Sequence, residues 1–461
     1  MAKGNDLGRD PISRLVWKLA IPSMLAQLVN VLYGIVDRIY IGNIDGIGAQ
    51  ALAGVGVCGP IVTLITSFAS LVGLGGAPLV AMRMGEGNHA GARRILSTCF
   101  TMLCALSALL TLVILLLKRP LLMAFGASPQ TFPYADTYMT YYAAGAVFAL
   151  LSVGLNQFII CQGYATAGMV TVVIGALLNI VLDPVFIFLA GMDVAGAALA
   201  TVLSQAASCF FVLLFLMSRR AAIRLRPWQI DFAIVRRVTA FGLSPFIIIA
   251  TDSVVIIALN SVLQRWGGPE LGDRLVTCAT IVLSYMQLIT MPMSGLTGGT
   301  QPILSFNYGA KQVKRIEEGE KHILMMCVIF TGVMFLLSHA ASHYFVRIFT
   351  QEPELVRQAV WGIKIFTLGI IPLAFQYTVV DGFTALGIAR VAVTLSLLRK
   401  GVLFLLTVLL PLWMGAEGAF YAEGIADIMA GIVSTAVFLL VFRRLMDRRL
   451  QMPDGMPLYG G

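Results

Sequence analysis

The sequence is short of charged residues: only 12% of its 461 residues are Asp, Glu, Lys or Arg, whereas 58% are hydrophobic. A soluble globular chain carries about 25% charged residues. The deficit therefore excludes an ordinary soluble enzyme or binding domain and indicates a polytopic membrane protein. The net charge of +9 does not indicate nucleic-acid binding, because the basic residues lie in short loops between apolar segments.

Motifs for disulfide, nucleotide or catalytic chemistry are also missing. The seven cysteines lie within apolar segments and form no Cys-x-x-Cys pair, so we expect small buried side chains instead of disulfides or metal ligands. The chain has no Gly-x-x-x-x-Gly-Lys-Ser/Thr loop and no recognisable Ser/His/Asp or Cys/His set. We therefore expect a protein that is not an enzyme and that has no resident cofactor or metal.

Apolar runs long enough to cross a bilayer recur along the chain. We count twelve, at residues 15–39, 51–82, 95–117, 134–160, 167–190, 195–217, 234–263, 275–306, 322–346, 357–385, 388–411 and 417–442. Most Lys and Arg residues lie on the loops of one side, which also carries both chain ends. The loops of the opposite side carry only Lys118, Arg119, Arg265, Arg274, Arg347 and Arg357. By the positive-inside rule we expect a multi-pass protein of the cell membrane with both termini cytoplasmic.

The longest polar connection divides the twelve spans into two groups of six. It occupies residues 218–233, so we predict an N-terminal lobe at 1–217 and a C-terminal lobe at 234–461 with a short cytoplasmic tail. The halves resemble each other at a displacement of roughly 220 residues, which is the pattern of an internal repeat. Matching positions include Pro22 with Pro245, Asp37 with Asn260, and Met192 with Met414. Six spans per half give both copies the same orientation, as in the parallel repeats of some transporters.

A single carboxylate, Asp183, stands inside the apolar stretch at residues 177–188. Such an acid costs about 2.5–3.5 kcal/mol at the bilayer centre, so it usually faces a cavity and marks an ion or proton pathway. Asn179 lies one turn earlier on the same helix face, and Pro184 follows at a predicted helix kink. The alternative is an Asp that caps a helix end against the proline.

Helical rise places two more polar side chains at a depth similar to that of Asp183. Asp37 lies near the outer end of the first span and Thr201 near the outer end of the sixth, so both could join Asn179 and Asp183 in one site. Two carboxylates in a low-dielectric pocket favour the binding of a proton. The same oxygens would also suit Na⁺. The alternative for Asp37 is a position at the membrane surface, paired with Arg38.

Adaptable side chains on the first and eighth spans border the space expected between the two lobes. Thioethers and aromatic faces accept varied ligands, and aromatic faces attract organic cations. The candidates for this substrate cavity are Met24, Gln27, Tyr33, Tyr285, Met286, Gln287 and Met291. The alternative for each of them is ordinary helix packing or lipid contact.

The C-terminal half carries its own intramembrane charges. Asp252 and Asp381 are candidates for a cavity wall that attracts cations. Glu423 and Asp427 are one helical turn apart, and we expect that they neutralise Arg399 and Lys400, since charges within a membrane tend to pair.

Two stretches carry a specific family resemblance. NIVLDPVFIF followed by GMDVAGAALATVLSQ resembles the fifth and sixth spans of the multidrug and toxic compound extrusion (MATE) family. FTALGIARVAVTLSLLRKG at residues 383–401 is similar to its eleventh-span region, closest to the MepA-like multidrug efflux branch. The sequence departs from that branch at Ile160, Gln162 and Thr384, which affects the expected substrate preference.

The resemblance implies a V-shaped fold of two pseudo-symmetric six-helix lobes and a secondary antiporter. It assigns cation coupling to Asp37, Asn179, Asp183 and Thr201, where binding of H⁺ or Na⁺ bends the first helix and drives a rocker-switch. We expect amphipathic, cationic drugs as substrates, the lipid bilayer as the surroundings, and a monomer. Two alternatives remain open: a flippase for a lipid-linked precursor, which would need an excess of Arg and Lys in its cavity, and an intramembrane lipid-modifying enzyme, which would need clustered catalytic side chains.

Overall fold

The computed structural model describes residues 6–125, 127 and 129–451. This described part is helical almost throughout and contains no strand. Its α-helices, numbered α1 to α15 in chain order, are Ile12–Gly42, Gly48–Gly85, His89–Ala124, Phe132–Ala144, Ala146–Ile160, Ala165–Pro184, Asp193–Met217, Phe232–Gly309, Val313–Ala340, Ser342–Phe349, Pro353–Phe366, Ile370–Ala385, Ala389–Leu409, Pro411–Met414 and Gly418–Gln451.

The described helices form an all-α polytopic membrane fold, as the sequence predicted. Ten stretches of the described chain are long and apolar enough to cross a membrane, and α4 with α5, which are bent by 56° at their junction, would make an eleventh. The last of these stretches, Ala389–Gln451, contains both α13 and α15. Helix α8 contains two of them, an α8 first arm (Phe232–Gly268) and an α8 second arm (Arg274–Gly309). When α4 and α5 are counted as one span and α13 and α15 as two, each of the twelve predicted spans corresponds to a helical segment of the described chain.

Local sequence signals explain where several helices begin and break. At the start of α3, the Asn88 side chain accepts a hydrogen bond from the Gly91 N–H at 2.8 Å. At the start of α8, Asp231 accepts one from the Ala233 N–H at 2.9 Å. These caps satisfy N–H groups that a helix start leaves free. Between the arms of α8, Gly268 has a φ of 64°, which glycine adopts without the steric cost of a side chain.

The apolar core is divided along the chain. One cluster of buried residues runs from Ile41 to Phe241, and another runs from Leu259 to Phe420. A third cluster joins the halves, because it combines residues of α1 with residues of the α8 second arm, α9, α12 and α15. Helix α1 packs against both α6 and α8, so it touches both halves of the molecule.

The connection between the halves is folded onto the N-terminal half. Ile223 and Leu225 are buried, although they lie in a stretch without helix. The Ile223 N–H donates to Gln162 Oε1 at 2.7 Å, and the Tyr164 hydroxyl donates to the Arg220 carbonyl at 2.9 Å. The polar segment therefore packs against the ends of the N-terminal helices.

Both described chain ends lie at one end of the bundle, which we call the base. Near the first described residues, Arg315 donates to the Leu7 carbonyl at 3.0 Å. Near the last, Arg449 of α15 donates to the carbonyls of Tyr308 and Gly309, each at 3.0 Å. These bonds connect the two chain ends to the start of α9 and the end of α8.

Glycines bring the two halves into close contact at the base. A Cβ added at Gly85 of α2 would overlap the Phe306 carbonyl oxygen, and one added at Gly309 would overlap the Met82 carbonyl oxygen. Only a residue without a side chain permits this approach of two backbones. The halves are therefore closed against each other at the base.

Candidate ion-coupling site

Helix α6 carries Asp183, and the regular α-helix ends one residue after this acid. Asp183 is fully buried, and Pro184 is the last residue of α6. A π-helical turn, Val185–Leu189, follows directly. Proline lacks the N–H that an α-helix needs, and π-helical turns are rare and often occur at functional sites. The backbone is therefore irregular at the position of the acid.

The four residues assigned to cation coupling come together from α1, α6 and α7. Asn179 Nδ2 donates to Asp183 Oδ1 at 3.1 Å and lies 3.4 Å from Thr201 Oγ1. The Thr201 hydroxyl donates in turn to the Ala197 carbonyl at 3.0 Å. From α1, the Asp37 carboxyl group lies within hydrogen-bonding reach of the Asp183 carboxyl group. We call Asp37 and Asp183 the N-terminal acid pair.

The oxygens of the N-terminal acid pair are poorly supplied with donors. Among the described residues, Asp37 Oδ1, Asp183 Oδ2 and Asn179 Oδ1 have no hydrogen-bond partner. Arg38 is exposed, and no ion pair within 4.0 Å joins it to Asp37 in the described chain. Two carboxyl groups that face each other need a positive charge or a shared proton between them. The geometry suits a proton or a small cation such as Na⁺.

Tyrosines surround the N-terminal acid pair. Tyr33, which the sequence assigns to the substrate cavity, lies on α1 close enough to interact electrostatically with both acids. Tyr138 and Tyr142 of α4 are buried, with ring centroids 6.1 Å apart and planes 11° from parallel. Sequence reasoning missed these two α4 residues. Their spacing of four was the available signal, but it does not show that Tyr138 lies close to Asp37.

Two of the other cavity candidates lie where α1 meets the C-terminal half. Met24 and Gln27 are partly buried, and together with Ser23 they are the residues nearest to a Cβ placed on Gly295 of the α8 second arm. The Gln27 side chain also accepts a hydrogen bond from Asn30 at 3.5 Å. These positions place both side chains at the contact between the halves.

The candidates on the α8 second arm are divided between core and surface. Tyr285 and Met286 are each 5% exposed and belong to the C-terminal apolar core. The Tyr285 hydroxyl accepts a hydrogen bond from Ser338 at 3.1 Å, and both side chains pack within the C-terminal half. Gln287 and Met291 are exposed. The helix face that turns inward is set by packing against α9 to α11, which sequence spacing alone does not specify.

The C-terminal acids are mostly paired with bases. Arg399 holds Asp427 at 2.7 Å and Glu423 at 2.8 Å, so both acids neutralise the same arginine. Lys400 pairs instead with Asp252, which the sequence assigned to a cavity wall. The Asp252 side chain is 47% exposed.

Asp381 of α12 belongs to a different cluster. Its Oδ2 accepts a hydrogen bond from the Thr297 hydroxyl at 2.5 Å, and the Gln301 side chain lies close to it. Glu320 of α9 is buried nearby and interacts with it electrostatically. Sequence reasoning missed Glu320, because it places the start of the ninth span at residue 322, whereas α9 begins at Val313.

Known proteins resemble this chain along nearly its whole length. The sequence model of the MatE family matches residues 22–185 and 250–409. The multidrug export protein MepA of Staphylococcus aureus is 20% identical over 449 residues, with 97% of this chain and 98% of that protein covered. MepA of Staphylococcus haemolyticus is 22% identical over 436 residues, with 94% and 95% covered.

Solved structures share the fold. An outward-facing structure of a multidrug resistance MATE family transporter of the MOP superfamily superposes with a TM-score of 0.89 at 22% identity, covering 98% of this chain and 100% of that one. A MOP superfamily transporter from Pyrococcus furiosus gives the same TM-score, identity and coverage. Because the family model matches most of the chain and the fold agrees, this protein belongs to the MatE family, the multidrug and toxic compound extrusion transporters.

Proposed function

We propose that the protein is a secondary antiporter that exports amphipathic, cationic drugs in exchange for H⁺ or Na⁺. The observation that carries the proposal is the N-terminal acid pair: Asp183 is fully buried, Asp37 is partly buried, and no basic side chain of the described chain lies within ion-pair distance of either. The relatives named multidrug export proteins support the substrate class. The protein would work as a monomer in the cell membrane.

Helix α1 offers a route from ion binding to a change between outward-open and inward-open states. It carries Asp37 against α6, and it packs against the α8 second arm through Met24 and Gln27. A proton or cation bound between Asp37 and Asp183 removes their repulsion, which changes how closely α1 and α6 approach. Because α1 touches both halves, its shift would tilt one half relative to the other. This is the rocker-switch expected for two parallel repeats.

The arrangement favours the proton over Na⁺. The Asp37 and Asp183 carboxyl groups lie within hydrogen-bonding reach, so a single proton between them would satisfy both. A sodium ion would have to separate them to coordinate both, with the Asn179 and Thr201 oxygens as further ligands. In the orientation with cytoplasmic termini, the closed base faces the cytoplasm, and the site lies toward the external end of the bundle.

Transport by purified protein in liposomes tests this proposal. A fluorescent lipophilic cation is supplied first under an imposed pH gradient and then under an imposed Na⁺ gradient of equal size. We expect uphill movement of the cation with the pH gradient and little with the Na⁺ gradient. Uphill movement driven only by Na⁺ would assign the site to sodium, and none with either gradient would contradict antiport.

A further inference from the structure

A cavity of about 250 Å³ lies at the base, where the end of α2, the start of α3 and the start of α8 meet. Each of these helices contributes an arginine to its walls, namely Arg83, Arg94 and Arg237. Among the described residues that line it, Asp231 is the one acid. The cavity has room for several water molecules, and none of its residues belongs to the N-terminal site.

The cavity lies at the seam between the two halves, because α2 and α3 belong to the N-terminal half and α8 begins the C-terminal half. Helix α2 and the α8 first arm approach each other closely just above it, where a Cβ added at Gly75 would overlap the Val238 carbonyl oxygen. One helical turn closer to the base, Leu79 of α2 and Ile234 of α8 line the cavity instead. A group bound there would therefore touch both halves.

The arginines of the cavity have fewer acidic partners than their charge requires. Arg94 pairs with Asp231 at 3.0 Å, and Arg83 pairs with Glu86 at 2.7 Å. Arg237 is partly buried and forms no hydrogen bond or ion pair with another described residue. Three arginines thus share two carboxylates, so the cavity keeps a positive charge that the surrounding protein does not balance.

These side chains, and not the start of α3, provide the attraction for an anion. The Asn88 side chain already accepts the hydrogen bond of the Gly91 N–H, so the first turn of α3 is capped. Glu86, the partner of Arg83, is also approached by Arg449 of α15 at 3.9 Å. An anion in the cavity would therefore meet guanidinium groups that are only partly neutralised.

The chemistry of the walls suits a phosphate group that is attached to an apolar body. A guanidinium group presents several N–H donors in one plane and binds phosphate oxygens in pairs, at any physiological pH. The same cavity has apolar walls, which include Leu79, Ile95 and Ile234. A small inorganic anion would leave these apolar walls without a partner, whereas a phospholipid would cover them.

Exposed aromatic residues indicate that the cavity lies at the level of the lipid headgroups. Trp228 and Phe232, on either side of Asp231 in the chain, are 73% and 77% exposed. Trp228 is held there with a φ of 64°, which is rare for a bulky side chain. Aromatic side chains at the surface of membrane proteins are enriched in the headgroup layer. The stretch that leads into α8 therefore places the cavity beside that layer.

We propose that this cavity binds the phosphate group of an anionic phospholipid, with Arg237 as its main ligand and Arg83 and Arg94 as further donors. In the proposed orientation the base faces the cytoplasm, where basic pockets between membrane helices bind anionic headgroups. The proposal goes beyond antiport, because phosphate binding does not depend on the ion that drives export. A headgroup that touches both halves stabilises the closed base, since a ligand favours the state that it binds better.

Lipid titration of the purified full chain, followed by native mass spectrometry, tests the proposal. Phosphatidylglycerol and phosphatidylcholine are compared in wild type, Arg237→Gln and the matched control Arg236→Gln, whose side chain is exposed beside Arg237. We expect Arg237→Gln to weaken phosphatidylglycerol binding about tenfold, the effect of one charge-assisted contact. Arg236→Gln should bind it like wild type. Equal affinity in wild type and Arg237→Gln, or equal affinity of wild type for both lipids, would overturn the proposal.

Two further arms keep this test decisive. Ala233 lines the cavity and is exposed, so Ala233→Trp fills the space without changing the charge and replaces Arg237→Gln if that variant does not fold. We expect a similar loss of phosphatidylglycerol binding, and wild-type affinity would contradict the location of the site. Inorganic phosphate should displace the lipid only in large excess. Inorganic phosphate that binds as tightly as phosphatidylglycerol would assign the cavity to a soluble anion and overturn the lipid as its ligand.

The effect on the closed base is measured by the distance between spin labels on the two halves, at the exposed positions Arg219 and Lys314. We expect nanodiscs with phosphatidylglycerol to raise the closed fraction relative to phosphatidylcholine in wild type and in Arg236→Gln, but not in Arg237→Gln. The same closed fraction in both lipids for wild type would overturn the stabilisation of the closed base. If no cation were exported under either ion gradient, the proposed function would fail, yet the lipid titration would still decide whether the cavity binds phosphate.

Discussion

In the N-terminal half, Asp37 and Asp183 face each other without a lysine or arginine within ion-pair distance among the described residues. In the C-terminal half, Arg399 holds both Asp427 and Glu423 at less than 3 Å. Each group contains one fully buried acid, Asp183 or Asp427, and one partly buried acid, Asp37 or Glu423. These two groups of acids therefore differ in how their negative charge is balanced.

This difference separates an exchangeable charge from a permanent one. Arginine stays protonated at any physiological pH, so its attraction to Asp427 and Glu423 remains the same throughout a transport cycle. A carboxyl pair without such a partner changes its net charge whenever it gains or loses a proton or cation. We therefore expect substitutions in the N-terminal acid pair to affect transport, and substitutions at Arg399 to affect stability.

The largest effect is expected from Asp183→Asn. The amide keeps the shape and the contact with Asn179 but can neither bind nor release a proton, so gradient-driven export should fall to the background of empty liposomes. The measurement is uphill uptake of a fluorescent cation, with Asp45→Asn as the control because Asp45 is exposed in the loop after α1. Wild-type rates in Asp183→Asn would remove the contrast between the halves.

Arg399→Met should lower stability strongly. It leaves the fully buried Asp427 and its neighbour Glu423 without a positive charge, and loss of one partner from a buried ion pair typically costs about 3–5 kcal/mol. We expect a lower thermal unfolding midpoint in detergent and a partial return in Arg399→Met/Asp427→Asn. Arg236→Met, at an exposed position, serves as the control. A wild-type midpoint for Arg399→Met would contradict a structural role for the network.

The sequence was sufficient to predict the fold because the signal is strong and local. Long apolar runs with few charges specify membrane helices whatever their neighbours are. The N-terminal acid pair was also accessible, since Asp183 is an acid inside an apolar run and helical rise gives its depth. The depth of Asp37, calculated by helical rise along the first span, placed this residue near Asp183.

Other parts of the site depend on packing that spacing does not encode. Tyr138 of α4 interacts electrostatically with Asp37 of α1, a proximity between two helices that are distant in sequence. Tyr285 and Met286 face the C-terminal core because α9 to α11 cover that side of the α8 second arm. Glu320 was missed because the predicted ninth span begins at residue 322, whereas the helix begins at Val313.

Asn179→Ala should have an intermediate effect that sharpens the comparison. It removes the 3.1 Å hydrogen bond to Asp183 but keeps both acids of the pair. A hydrogen bond to a charged group contributes about 1.5–3 kcal/mol, and each 1.4 kcal/mol is about tenfold in affinity. We expect export to persist with its dependence on the coupling ion shifted about tenfold. Asn43→Ala, at an exposed position after α1, is the control. Complete loss of export would assign Asn179 a role beyond orienting Asp183.

The smallest effect is expected from Asp252→Asn. This acid also lies within a predicted span, but Lys400 neutralises it and nearly half of its side chain is exposed. Ion pairs in contact with solvent contribute about 0–1 kcal/mol, so we expect a nearly unchanged unfolding midpoint and an export rate within about twofold of wild type. Lys400→Met should behave in the same way if the pair is only a surface contact. A loss of export in Asp252→Asn as severe as that in Asp183→Asn would mean that a basic partner does not prevent an acid from coupling, and the distinction between the two halves would then have to rest on depth instead of charge balance.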